Sequence, residues 1–212
     1  MKVHTRFLLS ALDERQFPAA SSPEIAFLGR SNVGKSSLIN SLAGVKIAKT
    51  SNTPGRTQAI NFFEVRWPGH PKPDLLFVDL PGYGYARVPR EITNRWQGFV
   101  DPYLTHRSAL ALCLCLVDAN VPPQKSDAQL IEFLRNVDRT LLVVATKADK
   151  VGSRLSAALE DLRQGLGADK ILPFSSKSGM GRDELWKLMR TAVERSNEAS
   201  GGPEAAPRGA TG

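Results

Sequence analysis

Two kinds of apolar pattern alternate along the chain. Ile25, Ala26, Phe27 and Leu28 form a short unbroken apolar stretch, and residues 109–118 and 141–145 form two more. Runs of that kind, bounded by polar or turn residues, predict strands buried on both faces. Between them the apolar side chains recur at helical spacing: Leu38, Ile39 and Leu42; Ile92, Trp96, Phe99 and Tyr103; Leu130, Leu134 and Val137; Leu155, Leu159, Leu162 and Leu166; Leu185, Trp186, Met189 and Val193. Each set lays a stripe along one helical face. Ser126 with Gln129 predicts a capping box at the start of the third of these helices. Residues 60–67 and 75–80 read as strands flanking the proline-rich turn 68–73, which predicts an antiparallel hairpin. Residues 171–174 make a further short strand.

Strands alternating with helices place the chain in the α/β class, with three layers: a mainly parallel six-stranded sheet, one strand antiparallel, and helices on both faces. Ligands of such sheets bind beyond the carboxyl ends of the strands. Residues 1–20 read as a short N-terminal extension and 21–196 as the domain. Residues 197–212, small, polar and rich in glycine, read as a disordered tail. Residues 46–58 carry little hydrophobic pattern and read as a mobile loop.

Gly29 to Ser36 spells G-x-x-x-x-G-K-S between a strand and a helix, a phosphate-binding loop. Its glycines let successive amides close on phosphate oxygens, and the helix N-terminus adds positive potential. Lys35 is expected on the β- and γ-phosphates and Ser36 on Mg2+. Gly29, Arg30, Ser31, Asn32, Val33, Gly34 and Ser37 complete the loop. Asp79-Leu80-Pro81-Gly82 is a D-x-x-G at a strand end. Its aspartate can hold Mg2+ through water, and the Gly82 amide can sense the γ-phosphate. Thr57, in the polar loop, is the candidate for closing over Mg2+ and the γ-phosphate. Thr50 and Thr53 are rivals that spacing leaves open, and Arg56 either meets phosphate or keeps the loop soluble.

Thr146-Lys147-Ala148-Asp149 bears on the base. The Asp149 carboxylate offers two acceptors to the N1–H and N2–H groups of guanine, and adenine has neither donor there. Lys147 can lay its stem along the base plane, and Ser175-Ser176-Lys177 can turn backbone N–H groups to the guanine carbonyl. A metabolic kinase, the rival use of a phosphate loop, has no need of Asp149.

Composition narrows the setting. The 212 residues carry a formal charge of +7, so the surface favours polyanions without choosing among them. No apolar run approaches the roughly 20 residues of a membrane span, the start lacks a secretory pattern, and no lipidation motif is expected at either end. Cys113 and Cys115 lie two apart in an apolar run and read as core side chains facing one way, which suits a reducing cytoplasm.

Several stretches together resemble the EngB family of bacterial GTP-binding proteins: Gly29 to Leu38, Thr53-Pro54-Gly55-Arg56-Thr57-Gln58 with Asn61-Phe62-Phe63, Asp79-Leu80-Pro81-Gly82-Tyr83-Gly84-Tyr85-Ala86, Thr146 to Asp149, and Phe174-Ser175-Ser176. The likeness spans residues 5–195. It implies a TrmE-Era-EngA-like G domain that binds and hydrolyses GTP with Mg2+, held at Ser36, Thr57 and Asp79. It also implies GTP contacts from Gly55, Arg56, Gln58, Ala59, Leu80, Pro81 and Phe174, and catalysis through Lys35, Thr57 and Asn32. A role as a switch in large ribosomal subunit assembly follows from the resemblance, with a subunit precursor or ribosomal RNA as partner, as does a requirement in cell division and septation. DNA is not an expected partner.

Ras-like proteins carry a water-orienting glutamine after D-x-x-G, where this chain has Tyr83. A phenol lacks the paired donor and acceptor of an amide, so slow intrinsic hydrolysis is expected. Asn32 matches the asparagine with which potassium-activated relatives bind K+, and K+ stimulation is expected on that likeness; the other use of Asn32 is to shape the loop. Tyr83, Tyr85, Arg87, Arg90, Arg95 and Trp96 gather aromatic and basic groups suited to RNA, although Trp96 reads as core. The alternative reading is a GTP-regulated interaction protein at the septum or membrane.

Overall fold

A computed structural model describes residues 2–48, 59–83, 90–199 and 201, with backbone alone over 90–97. Its strands are β1 (His4–Ala11), β2 (Glu24–Gly29), β3 (Ile60–Arg66), β4 (Leu75–Asp79), β5 (Leu110–Asp118), β6 (Leu141–Thr146) and β7 (Ile171–Pro173). The helices are α1 (Lys35–Ala43), α2 (Arg90–His106), α3 (Lys125–Asn136), α4 (Leu155–Gly165) and α5 (Arg182–Ala199). One sheet runs in the order β1-β3-β4-β2-β5-β6-β7. Among the described residues only β3 is reversed: it pairs antiparallel with β1 and β4, and the other pairings are parallel.

The unbroken apolar runs are buried on both faces because helices cover both. Along β2, Ala26 and Leu28 enter a core shared with α2, α3 and α4, whereas Ile25 and Phe27 enter one shared with α1 and α5. In β5 the alternation puts Cys113 and Cys115 together in the first core. Both are buried free thiols, and burial pushes the Cys113 thiol up to about 12. At the amino end of β2 the fully buried Glu24 takes Arg107 Nη2 at 2.5 Å and the Tyr103 hydroxyl at 2.8 Å. That pairing fastens the end of α2 and makes an interior charge tolerable.

Three expectations are corrected. The sheet has seven strands rather than six, because β1 lies within the stretch read as an extension. A bulge between Phe7 and Leu9 breaks its alternation, so Leu8 and Leu9 both pack on the first core while Phe7 meets Phe63 edge-on. Helix α3 begins at Lys125 with Gln124 at its N-cap and no side-chain cap, so Ser126 sits inside the first turn and no capping box forms. Helix α5 continues to Ala199, past the expected start of the tail; residues 202–212 lie outside the described residues. Among the described residues no helix is long and apolar enough to cross a membrane.

Candidate functional site

The parallel strands end at Gly29, Asp79, Asp118, Thr146 and Pro173, so the sequence motifs converge on one edge of the sheet. Strand β2 lies between β4 and β5: the connection through α1 leaves it on the β4 side, and the connection from β4 through α2 crosses to the β5 side, the kind of switch point where open α/β sheets bind ligands.

The phosphate loop joins β2 to α1. A Cβ on Gly29 would lie 2.8 Å from Val33 Cγ1 and 3.0 Å from the Leu116 carbonyl, so only glycine fits. Gly34 caps α1 at φ 104 and Asn32 stands at φ 63, both left-handed. Lys35 opens the helix, and its ammonium pairs with the Asp79 carboxylate at the end of β4. Both side chains are nearly buried. Ser36 follows Lys35 in the same turn. One carboxylate and one hydroxyl, from Asp79 and Ser36, are a donor set that suits Mg2+, which keeps much of its shell for water and phosphate. Among the described residues no three His, Cys, Asp or Glu side chains cluster as a metal cage.

Beyond Asp79, Leu80 is fully buried and its N–H donates to Phe27 O. Tyr83 forms a parallel bridge with Arg30, and its hydroxyl donates to Asp127 Oδ1 at 3.0 Å. Arg30 Nε donates to the same carboxylate. Burial pushes the Asp127 carboxyl up against the opposing pull of Arg30 and Tyr83.

The residues expected on the base adjoin the phosphate loop. Thr146 Oγ1 lies 2.5 Å from Val33 O. Lys147, at φ 56, sends Nζ to Asn32 O at 2.8 Å and to Asp118 Oδ2 at 2.6 Å. Burial raises the Asp118 carboxyl, but the hydrogen bonds from Lys147 and Asn120 prevail and hold it below the usual range. The Ala148 N–H donates to Phe174 O. Asp149 is exposed, with Oδ1 accepting from the buried Ser175 hydroxyl at 2.6 Å. Ser175 Oγ in turn accepts from the Lys177 and Ser178 amides, and Ser176 is exposed beside it.

Gly29 through Ser37, Asp79 through Gly82, Thr146 through Asp149 and Phe174 through Ser176 are thus gathered at one edge. Ala59 lies just before β3. Thr50, Thr53, Gly55, Arg56, Thr57, Gln58, Tyr85 and Arg87 lie outside the described residues, as do the side chains of Arg90, Arg95 and Trp96. Sequence reasoning missed Asp118 and Asp127. Asp118 ends an apolar strand at the ligand edge, and Asp127 takes a core-facing position of α3, one turn before Leu130 and Ile131. A charge in an apolar stripe was the available signal.

A family model described as a 50S ribosome-binding GTPase matches residues 24–147. The probable GTP-binding protein EngB of Koribacter versatilis is 58% identical over 203 residues, covering 95% of this chain and 100% of its own length. Its counterpart from Acidobacterium capsulatum is 54% identical over 197 residues, 92% of this chain and 93% of that one. A crystal structure of a probable GTP-binding protein EngB shares the fold with a TM-score of 0.65 at 23% identity, over 81% of this chain and 99% of that one.

Proposed function

The chain belongs to the EngB family of GTP-binding proteins and is a GTP-hydrolysing enzyme, and from that premise we propose that it is a Mg2+-dependent molecular switch for assembly of the large ribosomal subunit. The observation that carries its nucleotide-binding part is the Lys147 contact with Asn32 O at 2.8 Å. It joins the loop that would read the base to the loop that would hold the phosphates, so one nucleotide can engage both.

In this reading the amides of residues 29–36 and the N-terminus of α1 wrap the phosphates. Lys35 exchanges Asp79 for the β- and γ-phosphates, freeing that carboxylate. Ser36, Thr57 and Asp79 are the residues that would hold Mg2+, the last through water. The cation, when bound, neutralises charge developing on the transferred phosphoryl group. Asp149, fixed by Ser175, pairs with guanine, while Lys147 and Ser176 frame the ring; Phe174, its side chain buried in the second core, steadies the loop through its carbonyl, which accepts from Ala148. Gly55, Arg56, Gln58 and Ala59 belong to the segment that would close over the γ-phosphate side.

Turnover is slow because Tyr83 stands in the place of a water-orienting amide. We assign a role at Asn32 to K+, which would add positive charge beside the phosphates. GTP turnover is accordingly expected to be at least about fivefold faster in K+ than in Na+ buffer; equal rates would remove K+ from the mechanism.

The family description of a ribosome-binding GTPase and the +7 charge support a ribosomal partner in the cytoplasm, with the requirement in division and septation following from it. Co-sedimentation with large-subunit particles is the test. Retention is expected with a non-hydrolysable GTP analogue and is expected to fall with GDP. Equal retention with GTP analogue, GDP and no nucleotide would contradict a switch.

A further inference from the structure

The apolar stripe of α3 begins with a charge. Asp127 is 2% exposed and takes donors from two distant parts of the chain. Arg30 Nε lies 3.2 and 3.1 Å from its two oxygens, and Tyr83 Oη lies 3.0 Å from one of them. Arg30 belongs to the phosphate loop, and Tyr83 is the residue after Gly82. A carboxylate this deep persists only with such partners, which makes the cluster a fixed point rather than a surface ion pair.

The backbone joins the same two segments. The Ser31 N–H donates to Tyr83 O at 3.2 Å, and the Tyr83 N–H to Gly29 O at 3.4 Å. A Cβ on Gly82 would come within 3.2 Å of Ser31 N and Cα, so residues 82 and 83 lie directly on the phosphate loop. Among the described residues the Gly82 N–H has no acceptor. The Tyr83 ring packs against the core beneath α2 and α3, and burial pushes its phenol well above the ordinary range. With its proton directed to Asp127, that hydroxyl does not also donate to a water.

We propose that Asp127 is a positioning residue for the γ-phosphate: through Arg30 and Tyr83 it holds Gly82 against the phosphate loop before GTP arrives. The third phosphate then meets a preformed amide instead of a segment that must be ordered on binding. The proposal rests on the guanine-nucleotide reading above. GDP lacks the phosphate concerned, and its affinity is therefore an internal control.

The test titrates Asp127→Ala, Tyr83→Phe and the double variant with GDP and with a non-hydrolysable GTP analogue. In Asp127→Ala the affinity for the analogue relative to GDP is expected to fall about tenfold. Tyr83→Phe is expected to shift the ratio in the same direction, and the double variant to be no worse than Asp127→Ala, because the two changes break one clasp. Equal losses for both nucleotides, or additive effects, would overturn the proposal. If Asp127→Ala does not fold, Tyr83→Phe decides alone, since it removes one oxygen and leaves the ring in place; an unchanged ratio then overturns the proposal. Unaltered protein that binds adenine and guanine nucleotides equally would overturn the underlying reading instead.

Discussion

Replacing Asp149 with alanine is expected to lower GTP affinity by about 10⁴-fold and to remove discrimination against ATP, as read by equilibrium titration. The size follows from the geometry of the carboxylate. Ser175 Oγ, fully buried and itself tied to the Lys177 and Ser178 amides, holds Asp149 Oδ1 at 2.6 Å. The acceptor pair is therefore oriented before the base arrives and loses little entropy on pairing with two guanine donors. ATP presents no such donors and would leave an ion desolvated without a partner. Because Asp149 is exposed, its loss costs folding only the Ser175 hydrogen bond, about 1 kcal/mol. Binding and stability are thus separable, and a loss of affinity under about tenfold would place recognition of the base elsewhere.

Lys35→Ala is expected to slow GTP turnover by about 10³-fold, because on the proposed reading it deletes the charge that would meet phosphate oxygens in the transition state. A second effect comes from the nucleotide-free protein. Lys35 and Asp79 are an ion pair whose side chains are 11% and 7% exposed, so removing the ammonium leaves a buried carboxylate with its main partner gone. The expected cost is about 2 kcal/mol, visible as a lower urea midpoint without nucleotide. Asp79→Asn, which removes the charge from the other side, is expected to recover most of that stability in the Lys35→Ala background without recovering turnover. Turnover within about tenfold of the unaltered protein would contradict the role of Lys35.

Motifs confined to a few consecutive residues are legible in the amino-acid sequence alone. The phosphate loop, D-x-x-G and the Thr146–Asp149 turn each carry their logic in local spacing, and the buried strands stand out as apolar runs. The strand β1 does not, because its bulge places Leu8 and Leu9 on the same core and erases the alternation by which an edge strand is recognised. Asp118 and Asp127 escape for a different reason. Their partners are Lys147, 29 positions away, and Arg30, 97 positions away; only the folded sheet edge makes neighbours of them. The meaning of Tyr83 changes likewise: by position it replaces a catalytic glutamine, whereas by contact it is an anchor.

A nucleotide panel titrated into the unaltered protein and into Asp149→Ala, at one Mg2+ concentration, is the decisive measurement. GTP should bind the unaltered protein several orders of magnitude more tightly than ATP, and that margin should vanish in the variant. Equal uptake of ATP and GTP by the unaltered protein, or a margin that survives the substitution, would show that neither the carboxylate nor the joined loops read a guanine nucleotide.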